Sequence, residues 1–219
     1  QWLVEEINKQ NYAKALSYFN QLDFVFLQDD YDFSLDMEKY DSFCVYAFDK
    51  NISDEQKIQL YKYSADYAYF YADYLYSEKD YNEAKNLFEL AIQFYNPIQE
   101  FYPLENVFAY NMLGNVLSTN QNYQDAITYY KYALRLMDNH QLGDTLGMYQ
   151  TVINNMLIQT DTLSILQALE EVSLDFQNLP TITMAHYDML YVIAKLNFEL
   201  QRYDKSYTYC QLLYTIAIY

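Results

Sequence analysis

The sequence predicts an all-α protein: a right-handed superhelical solenoid of about five helix pairs, continuous over residues 1–219. Three observations predict it. Glycine and proline number only three each, too few for Rossmann sheets, sandwiches or barrels, which consume both in their turns. The chain is 52% hydrophobic and carries 28 tyrosines and 13 phenylalanines, enough for a sizeable core and for helices held by packing more than by propensity. Finally, one pattern recurs: a polar turn, a tyrosine, two residues, then a small residue.

In chain order, the pattern first occurs at Tyr12 and Ala15, after "KQN", followed by Phe19 and Leu22. Residues 23–63 read as an irregular helix pair. Ser34 caps a helix through Phe48, and "ISDEQ" (52–56) starts another, with Ser53 at the cap and Gln56 at the third position. Next come Tyr81, Ala84, Phe88 and Ala91 after "EKD", preceded by Tyr71-Ala72 and followed by Asn96-Pro97. "NPIQEFYPLEN" (96–106) is an insertion. Then follow Tyr123, Ala126, Tyr130 and Ala133 after "NQN", preceded by Leu113-Gly114. The last occurrence is Tyr203, Ser206, Cys210 and Leu213 after "LQR". Ala84 and Ala126 are 42 residues apart, but Ala126 and Ser206 are 80 apart, so a unit is hidden near Leu166. "MYQTVINNMLIQ" (148–159) and "LSILQALEEV" (163–172) supply its helices, with a turn at 160–162.

Spacings of four and three place Ala126, Tyr130 and Ala133 on one helical face. Ala72, Gly114 and Ala194 stand twelve residues before Ala84, Ala126 and Ser206, where a small residue lets two helices approach. This pattern resembles the tetratricopeptide repeat, a helix–turn–helix unit.

The remaining composition narrows function. Thirty acids against 13 bases give a net charge of −17, which repels nucleic acid and anionic lipid. Cys44 and Cys210 have no metal or redox spacing, and the simplest compartment is a reducing cytoplasm. No apolar run approaches a membrane span. His140 lies in a polar turn and is expected to be solvated; His186 opens a helix. No phosphate loop, dinucleotide fingerprint or nucleophile elbow is present, so neither enzyme activity, cofactor nor metal is expected. The chain starts at Gln1, inside a repeat, and is expected to be cut from a longer protein.

In repeats of this kind the first helix of each pair lines a concave groove. Positions facing away from the partner helix are then Asp66, Tyr69, Asp73, Tyr76 and Ser77 in one unit. Phe108, Asn111, Asn115, Ser118 and Thr119 follow in the next, and Met148, Thr151, Asn155, Ile158 and Gln159 in the hidden unit. Asp188, Tyr191, Lys195, Phe198 and Glu199 complete the set. An amide offers both a donor and an acceptor, matching the backbone of an extended peptide. Asn111, Asn115 and Asn155 are therefore candidate backbone contacts. Tyr69, Tyr76, Phe108, Tyr191 and Phe198 are candidate pockets for apolar side chains. Asp66 and Asp73 disfavour a carboxylate at one end and favour a basic group there, and Lys195 is the one base among these positions.

About five long-period repeats, a degenerate first unit and groove asparagines resemble the peptide-sensing domain of Gram-positive quorum-sensing regulators, the Rap, Npr, PlcR and PrgX group with its Rgg- and TprA-like members. The resemblance implies a cytoplasmic receptor for a short signalling peptide, a homodimer, and control of a transcription regulator by peptide-induced conformational change. It also implies DNA binding only through an N-terminal helix-turn-helix domain absent from this sequence. The alternatives are a Rap-like regulator acting on a protein target and an assembly scaffold with a constitutive protein partner. Replacing Asn111 and Asn115 together by alanine is expected to abolish peptide binding and leave the fold intact; a peptide titration followed by a thermal melt checks both.

Overall fold

A computed structural model describes residues 53–158 and 161–218. The expected units at Tyr12 and at Ser34–Phe48, together with Cys44, Gln159 and Thr160, lie outside the described residues. Eight α-helices are present among them: α1 (Asp54–Ser77), α2 (Tyr81–Tyr95), α3 (Pro103–Thr119), α4 (Tyr123–Asn139), α5 (Met148–Leu157), α6 (Thr162–Ser173), α7 (Met184–Glu199) and α8 (Tyr203–Ile218). They form the predicted solenoid of tetratricopeptide-like helix pairs, four of which are described. Helix α1 begins directly after Ser53, where the capping residue was expected. The pairs α1–α2, α3–α4 and α7–α8 each pack along their length, and α2, α4 and α6 also pack on the pair that follows them.

The small-residue positions are the contact points. Ala72, Ala84, Phe88, Ala91, Ala126, Tyr130 and Ala133 are completely buried. A Cβ added at Gly114 would lie 2.4 Å from the Tyr130 ring, so only glycine admits this aromatic. The weaker last unit compensates chemically: the Ser206 hydroxyl donates to the Ala194 carbonyl at 2.9 Å, across the helix pair.

A chain with three glycines must still end its helices. Lys79, Gln121, Gln141 and Gln201 take the left-handed conformation there, at φ 67°, 62°, 54° and 59°. Behind each, an N–H reaches back to a carbonyl five residues earlier: Asp80 to Leu75, Asn122 to Leu117, Leu142 to Met137 and Arg202 to Asn197, at 2.8–2.9 Å. This closure normally uses glycine; side chains there cost about 1 kcal/mol each. It sets the tight turn that precedes Tyr81, Tyr123 and Tyr203.

The hidden third pair is real but degenerate. α5 has only 10 residues, and α5 and α6 both lie on α4 more than on each other. Asn154, which the spacing places at a helix contact, is exposed, and Val152, Ile153 and Met156 are buried instead. The period near 40 residues appears as bonds between α4 and the α6 region. Lys131 pairs with Glu171 at 2.7 Å, Arg135 with Asp175 at 3.1 Å, and the Gln124 amide donates to Ser164 at 3.0 Å, each 40 residues apart.

Gly114→Ala is expected to lower stability by about 1–3 kcal/mol despite alanine's better helix propensity. In a Tyr130→Leu background the loss should largely vanish, read by urea unfolding. Gln121→Gly and Gln201→Gly should each raise stability by about 1 kcal/mol in the same assay.

Candidate functional site

The first helices α1, α3, α5 and α7 carry the candidate groove residues. Adjacent inner helices touch through these side chains. The Asn155 amide on α5 donates to the Asn111 Oδ1 on α3 at 2.9 Å. The Tyr76 hydroxyl on α1 lies 3.4 Å from the Thr119 hydroxyl on α3. Residues 44 and 43 positions apart thus meet on one surface running from α1 through α3 to α5.

Asn111 is 95% buried and gives its carbonyl oxygen to Asn155. Its Nδ2 has no hydrogen-bond partner among the described residues. Asn155 is half-buried. Asn115 departs from the expectation that it faces away from the partner helix. The Tyr130 ring, lying over Gly114, brings its hydroxyl to the Asn115 Oδ1 at 2.8 Å, and the Asn115 amide rests 3.6 Å from the Met112 sulfur. Asn115 therefore supports the helix pair as well as bordering the groove. Burial, with a contribution from Tyr76, pushes the Tyr130 phenol far up. It stays a neutral donor to that amide.

The aromatic positions divide. Tyr69 packs edge-on against Phe88 of α2, ring centroids 5.5 Å apart, and Tyr76 packs on Tyr81 at 5.5 Å. Phe108 is half-buried against the core. These three are partly used inside the solenoid. Tyr191 and Phe198 on α7 are 59% and 62% exposed, and Ile158 beyond α5 is 74% exposed, forming the open apolar part of the face.

The acidic end is smaller than expected. Asp66 is not free to repel or attract a ligand: it accepts the Tyr95 hydroxyl at 2.6 Å and is ion-paired with Lys62. Asp73 has no hydrogen bond or ion pair among the described residues. Burial raises its carboxyl above the usual range, and burial together with Asp73 pushes the Tyr69 phenol up to about 12. Lys195 lies 3.8 Å from Glu199, both more than half exposed, a pair worth little in water.

A second polar cluster was not foreseen. His186 lies in the first turn of α7, as expected, and is 96% buried. Its Nδ1 accepts the Thr183 backbone N–H at 2.9 Å, closing a capping box, so the ring proton sits on Nε2 and is donated to the Asp138 Oδ1 at 2.8 Å. The Tyr149 hydroxyl donates to the other Asp138 oxygen at 3.3 Å, and Phe176 and Tyr149 cover the ring. The cluster ties α4, α5 and α7 together around the short third pair. Its sequence signal was an acid at the end of α4, where the helix dipole disfavours negative charge. His140 likewise is mostly buried rather than solvated, its side chain 15% exposed and 4.0 Å from Glu100. No group of three or more potential metal ligands occurs among the described residues, and no described helix is long and apolar enough to cross a membrane.

Residues 107–140 match the tetratricopeptide repeat family. They span most of α3 and all of α4, the pair held by Gly114 and Tyr130. Among solved structures, the chain is similar to BtubC (BKLC) from P. vanneervenii: 14% identity, 98% of this chain and 87% of that one covered, TM-score 0.46. It is also similar to the Rap conjugation gene regulator of the plasmid pLS20 in complex with a Phr peptide: 14% identity, 97% of this chain and 50% of that one covered, TM-score 0.37. Compared with curated proteins, the chain has no match in sequence.

Asp138→Ala strands the His186 N–H and the Tyr149 hydroxyl in the interior. It should cost about 3 kcal/mol of unfolding free energy, with Asp138→Asn milder. A urea-melt loss below about 1 kcal/mol would remove the cluster from the list of structural ties.

Proposed function

We propose that the inner face of this repeat domain is a receptor for a short extended peptide, and that occupancy controls an attached regulator. One observation carries the reading. Asn111 is almost fully buried, yet its Nδ2 donors are unpaired, while its carbonyl is engaged by Asn155 from the next inner helix. The Nδ2 is left without a protein acceptor among the described residues, and a peptide carbonyl can supply one. The exposed Ile158 beyond α5, and Tyr191 and Phe198 on α7, offer apolar contact to side chains of an extended strand.

Signalling follows from the same bond. Asn111 and Asn155 belong to different repeats, so a ligand held by this pair has different affinity for different α3–α5 spacings. Binding then shifts the population toward one superhelical pitch, moving whatever is attached to either end. The surface charge of −17 keeps the domain itself from nucleic acid, so any DNA contact belongs to an attached domain. A homodimer remains part of this proposal.

Thermal-shift screening against apolar peptides of five to ten residues, within the span of a few repeats, should yield binders that raise the melting temperature. Asn111→Ala should weaken them about tenfold or more while the unliganded melt stays near wild type. The double Asn111→Ala, Asn115→Ala variant is a poorer probe, because losing Asn115 also removes the partner of Tyr130. Affinity unchanged in Asn111→Ala would place the ligand elsewhere, and a screen in which no peptide shifts the melt would end the receptor reading.

A further inference from the structure

The inner helices share a register. Asp73, Asn115 and Lys195 each directly follow the small residue, Ala72, Gly114 or Ala194, at which their helix meets its partner. Asn155 on the short α5 joins this set through its bond to Asn111. In the order α1, α3, α5, α7 the row therefore reads acid, amide, amide, base. We infer that the groove is electrically polarised and selects a peptide of about seven to nine residues, with a cationic group at its α1 end and a carboxylate at its α7 end. This rests on the peptide-receptor reading above and specifies its ligand.

Among the described residues, Asp73 at the α1 end stands without an ion pair; at the α7 end Lys195 is the one base of the groove positions, set among Asp188 and Glu199 and paired only with Glu199, at 3.8 Å. Bases on the second helices are occupied: Lys85 with Glu89, Lys131 with Glu171, Arg135 with Asp175 and Lys205 with Glu170. On α1, Lys62 and Asp66 neutralise each other. Asp73 is exposed and has no hydrogen bond or ion pair among the described residues, so its carboxylate is available to an ammonium group placed there. Lys195 has only the loose, exposed contact with Glu199. A carboxylate can displace that contact at little cost.

The length follows from geometry. From α1 to α7 are three steps between neighbouring inner helices, each about 8–10 Å, or about 24–30 Å in all. Extended chain covers about 3.3–3.6 Å per residue, which gives about seven to nine residues. The amide pair sits in the middle of that path, where the ligand presents backbone and no end charge. The row also fixes direction, because the opposite orientation sets the ligand's carboxylate against Asp73 and its ammonium against Lys195.

The test uses pools of eight-residue peptides built from Ala, Leu, Ile, Phe and Asn, with both ends free, the amine acetylated, the carboxylate amidated, or both blocked. Further pools are acetylated with Lys at the first position, or amidated with Glu at the last. Retention on the immobilised protein is quantified by mass spectrometry. Blocking either end should reduce retention about five- to tenfold, and the Lys and Glu pools report whether side chains replace the terminal groups. Asp73→Asn should erase the dependence on the amine alone, and Lys195→Met the dependence on the carboxylate alone. End-blocked peptides retained as well as free ones, with loss in Asn111→Ala, would sink the polarity and leave the receptor. End dependence that survives both charge substitutions would also sink it. No retention of any pool would sink the polarity and the receptor together.

Discussion

The structure depends on how closely the two helices of a pair can approach. At Gly114 the approach is closest, because the ring of Tyr130 occupies the volume that any Cβ would need. Ala72 against α2, and Ala194 against Ser206, repeat the contact in milder form. This single constraint orients both helices about their axes. It decides which face of α4 meets α5 and α6, and which face of α3 is left for the groove. The bond from Tyr130 to Asn115 shows how tightly the two are linked, since one side chain fills the pair and holds a groove residue.

Between pairs the forces are of another kind. A chain with a charge of −17 gains little from adding acids to its surface, yet the long outer helices place acids where scarce bases can meet them. Lys131–Glu171 and Arg135–Asp175 link α4 to the α6 region at partly exposed positions, beside the buried Ile165, Leu169 and Val172. The buried Asp138–His186–Tyr149 cluster ties α4 to α5 and α7. Such a cluster adds specificity of arrangement more than net stability, because each buried polar group must be desolvated before it is paired. The short third pair thus combines a buried apolar core, with Val152, Ile153, Met156, Leu166, Leu169 and Val172 at its centre, with these directional bonds.

Ile127, Tyr130, Leu134 and Met137 on α4 are buried. The equivalent Tyr207, Cys210, Tyr214 and Ala217 on α8 are exposed. The α8 helix carries no charge from Ser206 onward.

The sequence by itself determined the helical class, the turns before Tyr81, Tyr123 and Tyr203, the contact at Gly114 and the existence of a hidden third unit. Each is local or periodic, and spacings of three, four and about 40 residues survive in a linear text. It also placed Asn111 and Asn155 on one surface. Only the tertiary structure decided which of those surface groups were free. Asp66 was taken by Tyr95 and Lys62, Asn115 by Tyr130, and Tyr69 by Phe88, through contacts with other helices that no periodicity records. His186 and Asp138, 48 residues apart, meet because a short α5 lets α7 close on α4, and no local signal sets that distance. Sequence fixes the direction in which a side chain leaves its helix; what waits for it there is settled by packing.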